Sequence, residues 1–165
     1  MKAAQANEDA WHDCPTCKQG WTGKLQLQLC RERWRLASGR PEDDDERLSA
    51  GTSLVVSLRV NGAPVEALKL GRTNLDAHRR AYGGEDPDTL RAMAALAQTL
   101  SEDSLDCAVA LAMQTEIIAV KRRLAALEPE YFSYEYADII RLANTHSRMG
   151  NHQLALPLYQ EVVDS

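Results

Sequence analysis

Two cysteines near the amino terminus give this sequence its clearest potential for chemistry. Cys14 and Cys17 are separated by a proline and a threonine, and such a Cys-x-x-Cys turn can present two thiolates to one tetrahedral zinc ion. Zinc needs four ligands, and only His12 and Cys30 lie near enough to be considered for the same site. His12 is too close to Cys14 to be a comfortable ligand. Zinc is therefore expected at Cys14 and Cys17 only if other ligands complete the site.

The same Cys-Pro-x-Cys segment resembles the closing half of a RING-type zinc finger, although the earlier cysteine pairs of such a finger are absent. The resemblance implies an alternative function, the substrate-binding part of a ubiquitin ligase. The segment can also be interpreted as the remnant of a finger whose first half lies upstream in a longer protein. A redox role is disfavoured because no thioredoxin-like alternation of strands and helices accompanies the motif.

The other nucleophilic and titratable residues lack a catalytic spacing. His78, His146 and His152 are scattered, and none has a serine, cysteine or acid placed as in a catalytic triad. Cys107 stands where a helical repeat places a packing residue, so we interpret it as a small core side chain. We expect no enzymatic activity and no cofactor beyond the conditional zinc.

Composition narrows the class of protein further. The chain has 165 residues and a formal net charge of -5, so nucleic acid is not an expected partner. No continuous apolar stretch of about 18 residues predicts a membrane helix. The amino terminus carries acids and lacks an apolar core, so we expect no secretory signal and a cytoplasmic location. With aromatic residues at 5%, the core must be built mainly from alanine and leucine, as in closely packed helices.

Three stretches of the chain are copies of one another, at residues 67–80, 110–123 and 155–164, and each opens with Ala-Leu. Self-similarity at a period of about 44 residues is typical of stacked repeats, in which each unit buries its apolar face against its neighbours. The sequence therefore predicts an all-α fold, an α-solenoid of three helix pairs in which each copy is the second helix.

The first helices align as well, on the dipeptides at residues 54–55, 96–97 and 142–143. In the first and third units a glycine follows, Gly62 or Gly150, which can end the first helix in a left-handed conformation. These positions resemble the tetratricopeptide repeat. The resemblance implies a right-handed superhelix with a concave groove for peptides or partner helices, and no catalytic residues.

Residues 82–90, Tyr-Gly-Gly-Glu-Asp-Pro-Asp-Thr-Leu, and the long period resemble the kinesin light chain type of this repeat. In that type a Gly-x-x-His-Pro-Asp-Thr-Leu junction leads into each new pair, and Asp86 stands here in place of the histidine. The resemblance covers residues 42–165. Gly71 and Asn74 interrupt the second helix of the first unit, so we predict that this unit is the least stable.

The concave wall is the candidate partner-binding site. Family geometry implies that it includes Ser53, Val56, Arg59, Arg91, Gln98, Glu102, Arg141, Asn144 and Arg148. Arg141 and Arg148 lie two turns apart on one helical face with Asn144 between them. This trio could receive a carboxylate or an acidic peptide by charge-assisted hydrogen bonds. The alternative is an ordinary solvated face.

The predicted organisation is an irregular segment at 1–24, a helix at 25–40, and repeats at 41–165 with units at about 41–82, 87–127 and 129–165. The expected function is a scaffold or adaptor that binds a peptide or partner protein in the groove. The third unit ends without a polar capping helix, so self-association through that end is expected. A fragment with no separate role is the third alternative.

Overall fold

The structure is a computed structural model that describes residues 19–102, 106–127 and 136–164. The regular elements in those ranges confirm the predicted all-α fold class. In chain order they are α1 (Gly23–Ala37), α2 (Asp45–Val60), α3 (Pro64–Tyr82), α4 (Pro87–Glu102), α5 (Cys107–Leu127), α6 (Tyr136–Arg148) and α7 (His152–Val163). Residues 1–81 and 82–165 form two compact units, called unit 1 and unit 2. Within the described ranges no helix is both long enough and apolar enough to cross a membrane.

In unit 1, α1 packs against α2. Helix α3 contacts α2 where Asn74 lies against Gly51 and donates to Thr52. The core of this unit includes Leu48, Val55 and Leu58 of α2, all at most 2% exposed, and Leu75 of α3. On the surface, Arg31 of α1 forms an ion pair with Glu66 of α3 at 2.7 Å. The additional helix predicted at 25–40 therefore corresponds to α1 and packs within unit 1.

A largely buried ion pair joins α1 to α2. The guanidinium of Arg33, a residue only 6% exposed, donates to both carboxylate oxygens of Glu46, at 2.8 and 2.9 Å. Such bidentate pairs are geometrically specific and stronger than hydrogen bonds between neutral groups. The bond from Arg33 holds the pKa of Glu46 below its ordinary value, against the opposing effect of burial. The same guanidinium also reaches the hydroxyls of Ser49 and Ser53, at 3.3 and 3.5 Å.

Cys30 lies one turn before Arg33 on the same side of α1 and is 7% exposed. Burial raises the pKa of its thiol, and the nearby Ser57 hydroxyl and Arg33 guanidinium only partly oppose that shift. Because the thiolate is the reactive form of cysteine, Cys30 is chemically protected while α1 is in place.

A close approach of helices in unit 1 depends on Gly51 of α2. A Cβ atom at this position would lie 2.3 Å from Asn74 Oδ1 and 3.2 Å from Trp34 Cζ3. Asn74 Nδ2 donates to Thr52 Oγ1 at 2.9 Å, so this buried amide links α3 to α2. Asn74 interrupts the helical pattern of the sequence, yet it has a packing role in the fold.

Unit 2 contains two helix pairs, α4/α5 and α6/α7, and α6 also packs against α5 and α4. The apolar cluster between the pairs consists of Ile118, Ile139 and Leu142, with Leu111, Leu158 and Val162 packed against it. Ala110 and Ala155, which open the copied segments of this unit, are at most 3% exposed. Small buried residues of this kind let neighbouring helices approach closely, as the repeat pattern predicts.

Helix boundaries follow the local sequence. Gly62 and Gly150 have φ angles of 76° and 78° after α2 and α6, which confirms their predicted left-handed conformation. Asp86 Oδ1 accepts the backbone N–H groups of Asp88 and Thr89, at 2.8 and 3.3 Å. The aspartate that replaces the histidine of the family junction therefore satisfies amides at the start of α4 that no helical carbonyl can reach.

The last helix leaves part of its apolar surface uncovered. Leu154, Leu156 and Val163 of α7 are 55%, 69% and 77% exposed, whereas Ala155 faces the interior at 3%. Self-association through this end of the repeats remains a prediction.

Candidate functional site

A small polar cleft lies in unit 2 where α4, α5 and α6 meet, and we call it the unit 2 cleft. Its volume is about 50 Å³. The residues that line it are Gln98, Ser101 and Glu102 of α4, Gln114 of α5, and Arg141, Asn144, Thr145 and Arg148 of α6. Five of the nine groove candidates predicted from the sequence therefore surround one cleft.

Helical periodicity divides α6 into an inner face and a cleft face. Leu142 and Ala143 are buried, whereas Arg141 is half-buried and Asn144 and Arg148 are exposed. Because residues three, four or seven positions apart share a helical face, the three polar residues form one stripe. The helix thus presents two guanidinium groups and one carboxamide along the cleft.

Arg141 is oriented by a buried acid one turn earlier. Its Nη1 donates to Asp138 Oδ1 at 2.6 Å, while Lys121 Nζ of α5 donates to Oδ2 of the same carboxylate at 2.5 Å. Asp138 is only 3% exposed, so its charge is held between two cations. The guanidinium of Arg141 is therefore positioned before any partner binds. The two cations and one carboxylate carry a net charge of about +1, so this side of the cleft is positive.

The other two polar residues of α6 are also held in place. Arg148 Nη1 donates to the Ser101 carbonyl at 3.3 Å, which uses one of the five N–H donors of the guanidinium. The Tyr159 hydroxyl of α7 donates to Asn144 Oδ1 at 2.6 Å. That bond occupies the acceptor of Asn144 and leaves its NH2 group as the part suited to a ligand.

Gln114 was not predicted as a site residue, and it is the most unusual residue of the cleft. It is 3% exposed, and neither Nε2 nor Oε1 has a hydrogen-bond partner among residues 19–102, 106–127 and 136–164. An unpaired buried polar group costs roughly 1 to 3 kcal/mol, so nearly all such groups in folded proteins are bonded. Gln114 therefore has a buried donor nitrogen and a buried acceptor oxygen at the wall of the cleft, both without a partner from the described chain.

A comparison of the copied segments could have identified this position. Gly71, Gln114 and Tyr159 stand at the same place in the three copies and differ widely in size and polarity. Tyr159 uses this place to reach Asn144, a first-helix residue, and Gln114 uses it to line the cleft. The emphasis on first helices therefore missed a second-helix position that reaches the cleft.

The three groove candidates of unit 1 lie on α2 in different surroundings. Ser53 lies within reach of the Arg33 guanidinium, and Val56 and Arg59 are half-buried. Unit 1 also contains a cavity of about 220 Å³, and none of these three candidates lines it. Its lining residues are Trp34, Glu42, Arg47, Leu48, Thr73, Asn74, Asp76, Ala77 and Arg80.

Arg91 stands apart from the unit 2 cleft. It lies in the first turns of α4, is exposed, and forms an ion pair with Asp88 one turn earlier at 2.6 Å. Exposed pairs of this kind contribute little to stability. Arg91 is thus a surface residue of the helix start in this structure.

The predicted zinc ligands cannot be placed. Cys14, Cys17 and His12 lie outside the described residues. Within residues 19–102, 106–127 and 136–164, no group of three or more histidine, cysteine, aspartate or glutamate side chains is arranged to hold a metal ion. Cys30 packs between α1 and α2 instead. Zinc binding and the ubiquitin ligase hypothesis remain predictions.

No family model matches the sequence, and no curated protein sequence matches it. Among solved structures, the chain is similar to two crystal structures of a Podosopora anserina putative kinesin light chain with nearly identical TPR-like repeats, one of them a substituted variant. The sequence identities are 15% and 16%, and the TM-scores are 0.48 and 0.46. Each alignment covers 86% of this chain and 85% of the other. Identity this low says nothing about shared partners.

Proposed function

We propose that this protein is a non-enzymatic interaction scaffold of the cytoplasm whose unit 2 cleft binds an acidic segment of a partner protein. The observation that carries the proposal is the stripe of Arg141, Asn144 and Arg148 along the cleft. Guanidinium groups form charge-assisted, often bidentate hydrogen bonds with carboxylates, and the Asn144 NH2 group adds a further donor. An extended peptide that carries an acidic side chain matches this set of donors.

Preorganisation supports this function because it lowers the cost of binding. Asp138 and Lys121 hold the Arg141 side chain, and the Ser101 carbonyl holds that of Arg148. Side chains that are already ordered lose less entropy when a partner docks. Glu102 on the opposite wall repels a carboxylate at its own side, so the acid of the partner is expected next to α6.

Selection from a randomised peptide display library tests the proposal, with the full chain as bait. We expect the selected peptides to carry aspartate or glutamate at one fixed position. Their affinity, measured by fluorescence anisotropy, should fall about tenfold or more in Arg148→Glu, because a carboxylate then meets a negative charge. Arg148 is the residue to change, since replacing Arg141 would also disturb the buried Asp138.

Arg72→Glu is the matched control. It makes the same change of charge on an exposed residue of α3, outside the unit 2 cleft. Affinity should stay unchanged in this variant. Selection without any acidic preference, or equal loss in both variants, would contradict the proposal.

A further inference from the structure

We propose that Gln114 forms a subsite that receives the primary amide of an asparagine or glutamine side chain from the partner. The inference rests on the proposed function, because the partner would then contact the cleft with a neutral amide side chain in addition to its acidic side chain. Its basis is the pair of buried amide atoms of Gln114, which no residue within 19–102, 106–127 and 136–164 satisfies. The subsite lies in the unit 2 cleft, between the α4 residues Gln98 and Ser101 and the α6 stripe.

The space in the cleft suits a group of this size. One water molecule needs roughly 10 to 15 Å³ of such space. The cleft offers about 50 Å³, enough for about three groups of that size. A primary amide consists of three heavy atoms beyond its aliphatic stem. A whole aromatic ring exceeds this volume, so the cleft favours a small group.

Hydrogen-bond complementarity selects the amide among small polar groups. Gln114 offers one N–H donor and one carbonyl acceptor on the same edge of a planar amide. A partner amide presents the complementary acceptor and donor on its own edge, so one group satisfies both atoms with two parallel hydrogen bonds. No charge enters the buried position, which avoids the cost of desolvating an ion.

Charged groups satisfy only half of this requirement, and a peptide group cannot present both halves on one edge. A carboxylate only accepts hydrogen bonds and would leave Oε1 of Gln114 unpaired. An ammonium or guanidinium group only donates, and it would also face the positive charges of Arg141 and Arg148. A trans peptide group of the main chain points its N–H and its C=O in opposite directions, so a single one cannot engage both atoms.

Blocked amino acids provide direct probes of the subsite. The N-acetyl, N-methylamide derivatives of glutamine, asparagine, glutamate and methionine are titrated into the full chain labelled with nitrogen-15. The side-chain NH2 signals of Gln114 are assigned by their loss in Gln114→Met. We expect the two amide probes to shift these signals and to bind about tenfold or more tightly than the methionine probe, because a site built for hydrogen bonds rejects a ligand that lacks them. The glutamate probe, which can bind at the α6 stripe, should leave the Gln114 signals in place.

Peptide selection provides the second measurement. Wild-type chain should enrich asparagine or glutamine at a fixed distance from the acidic residue, and Gln114→Met should lose this preference but keep the acidic one. Gln153→Met, which changes an exposed amide of α7 outside the unit 2 cleft, is the control and should keep both.

The outcomes separate the two proposals. Acidic enrichment without an amide preference, and without selective shifts at Gln114, overturns the amide subsite and leaves the scaffold function intact. A second contrary result is magnetisation transfer from water to the Gln114 NH2 group that stays the same with every probe added. The subsite would then hold water only, and the amide proposal would be overturned. Loss of acidic enrichment overturns the proposed function itself.

Discussion

The two units treat the polar residues of their first helices differently. In unit 1, the residues of α2 meet α1: Arg33 binds Glu46 with two hydrogen bonds and reaches Ser53 at 3.5 Å. In unit 2, Arg141 stands at the same repeat position as Ser53, yet it lines an open cleft. Beside it, Gln114 has no hydrogen-bond partner among residues 19–102, 106–127 and 136–164.

The difference shows how one repeat pattern serves two purposes. A polar group that the chain itself satisfies stabilises the fold, because removing its partner leaves a buried group unpaired. A polar group that the described chain leaves unsatisfied costs stability and is available to a ligand. Changes to the first kind should therefore destabilise the protein, and changes to the second kind should stabilise it while weakening binding.

Replacing Arg33 should give the largest effect. In Arg33→Met the half-buried Glu46 carboxylate loses its bidentate partner, so the free energy of unfolding should fall by about 2 kcal/mol. Urea unfolding followed by tryptophan fluorescence measures this. The control is Arg35→Met on the same helix, which removes an exposed pair with Glu32 and should change little. If both changes lowered the free energy of unfolding equally, the ion pair of Arg33 with Glu46 would contribute no more than an exposed pair, and unit 1 would not depend on it.

Filling the helix contact at Gly51 should have the next largest effect. In Gly51→Ala the new methyl group would lie 2.3 Å from Asn74 Oδ1, so either the Asn74 side chain must give up its place beside Thr52 or α2 and α3 must move apart. Overpacking costs about 1 to 3 kcal/mol, against roughly 1 kcal/mol gained in helix propensity, so we expect a net loss of about 1 kcal/mol. Gly84→Ala, where a Cβ meets nothing within 4 Å, is the control. A stabilised Gly51→Ala protein would show that Asn74 is not fixed in place.

Replacing Gln114 should have the opposite sign. Gln114→Met keeps the length of the side chain and removes both unpaired polar atoms, so the free energy of unfolding should rise by about 1 kcal/mol. Urea unfolding of this variant beside Gln98→Met, a half-buried amide of the same cleft, provides the comparison. Destabilisation by Gln114→Met would mean that the amide has a structural partner, and the proposed subsite would lose its basis.

Acid should weaken unit 1 by a smaller amount. The pKa of Glu46 is lower in the folded protein because Arg33 binds the carboxylate. Its contribution to stability is therefore present above the pKa that it has in the unfolded chain and is lost as the pH falls through the folded value. Unfolding midpoints measured from neutral to acidic pH should decline less steeply in Glu46→Gln than in wild type. An identical slope would assign the acid sensitivity to other carboxylates.

Local patterns were sufficient to predict much of the fold. The copied segments, with the glycines after the first helices of the first and third repeat units, predicted α2, α3, α6 and α7, because apolar spacing and left-handed turns act within a few residues. The same spacing brought Arg141, Asn144 and Arg148 onto one face. Partner binding at these residues is a prediction still to be tested.

Contacts between distant residues were beyond the reach of that reasoning. The sequence treats Asn74 as a weak point of a helix, but its role depends on Gly51 and Thr52 of another helix. Arg33 and Gln114 are similar cases. Whether each side chain finds a hydrogen-bond partner depends on which helices pack against its own helix. The low stability expected of the first repeat unit, at about residues 41–82, stays a prediction, because it depends on these contacts as well as on helix propensity.

The rate at which Cys30 reacts with a thiol reagent reports how often α1 detaches from α2. Its thiol is covered by the packing of α1 on α2, and burial raises its pKa, so an alkylating reagent reacts mainly when α1 lifts away. The labelling rate of this one residue, followed by peptide mass spectrometry, reports how often the helix detaches while the rest of the protein remains folded. Arg33→Met should increase the labelling rate of Cys30 markedly, because α1 loses its ion pair with α2.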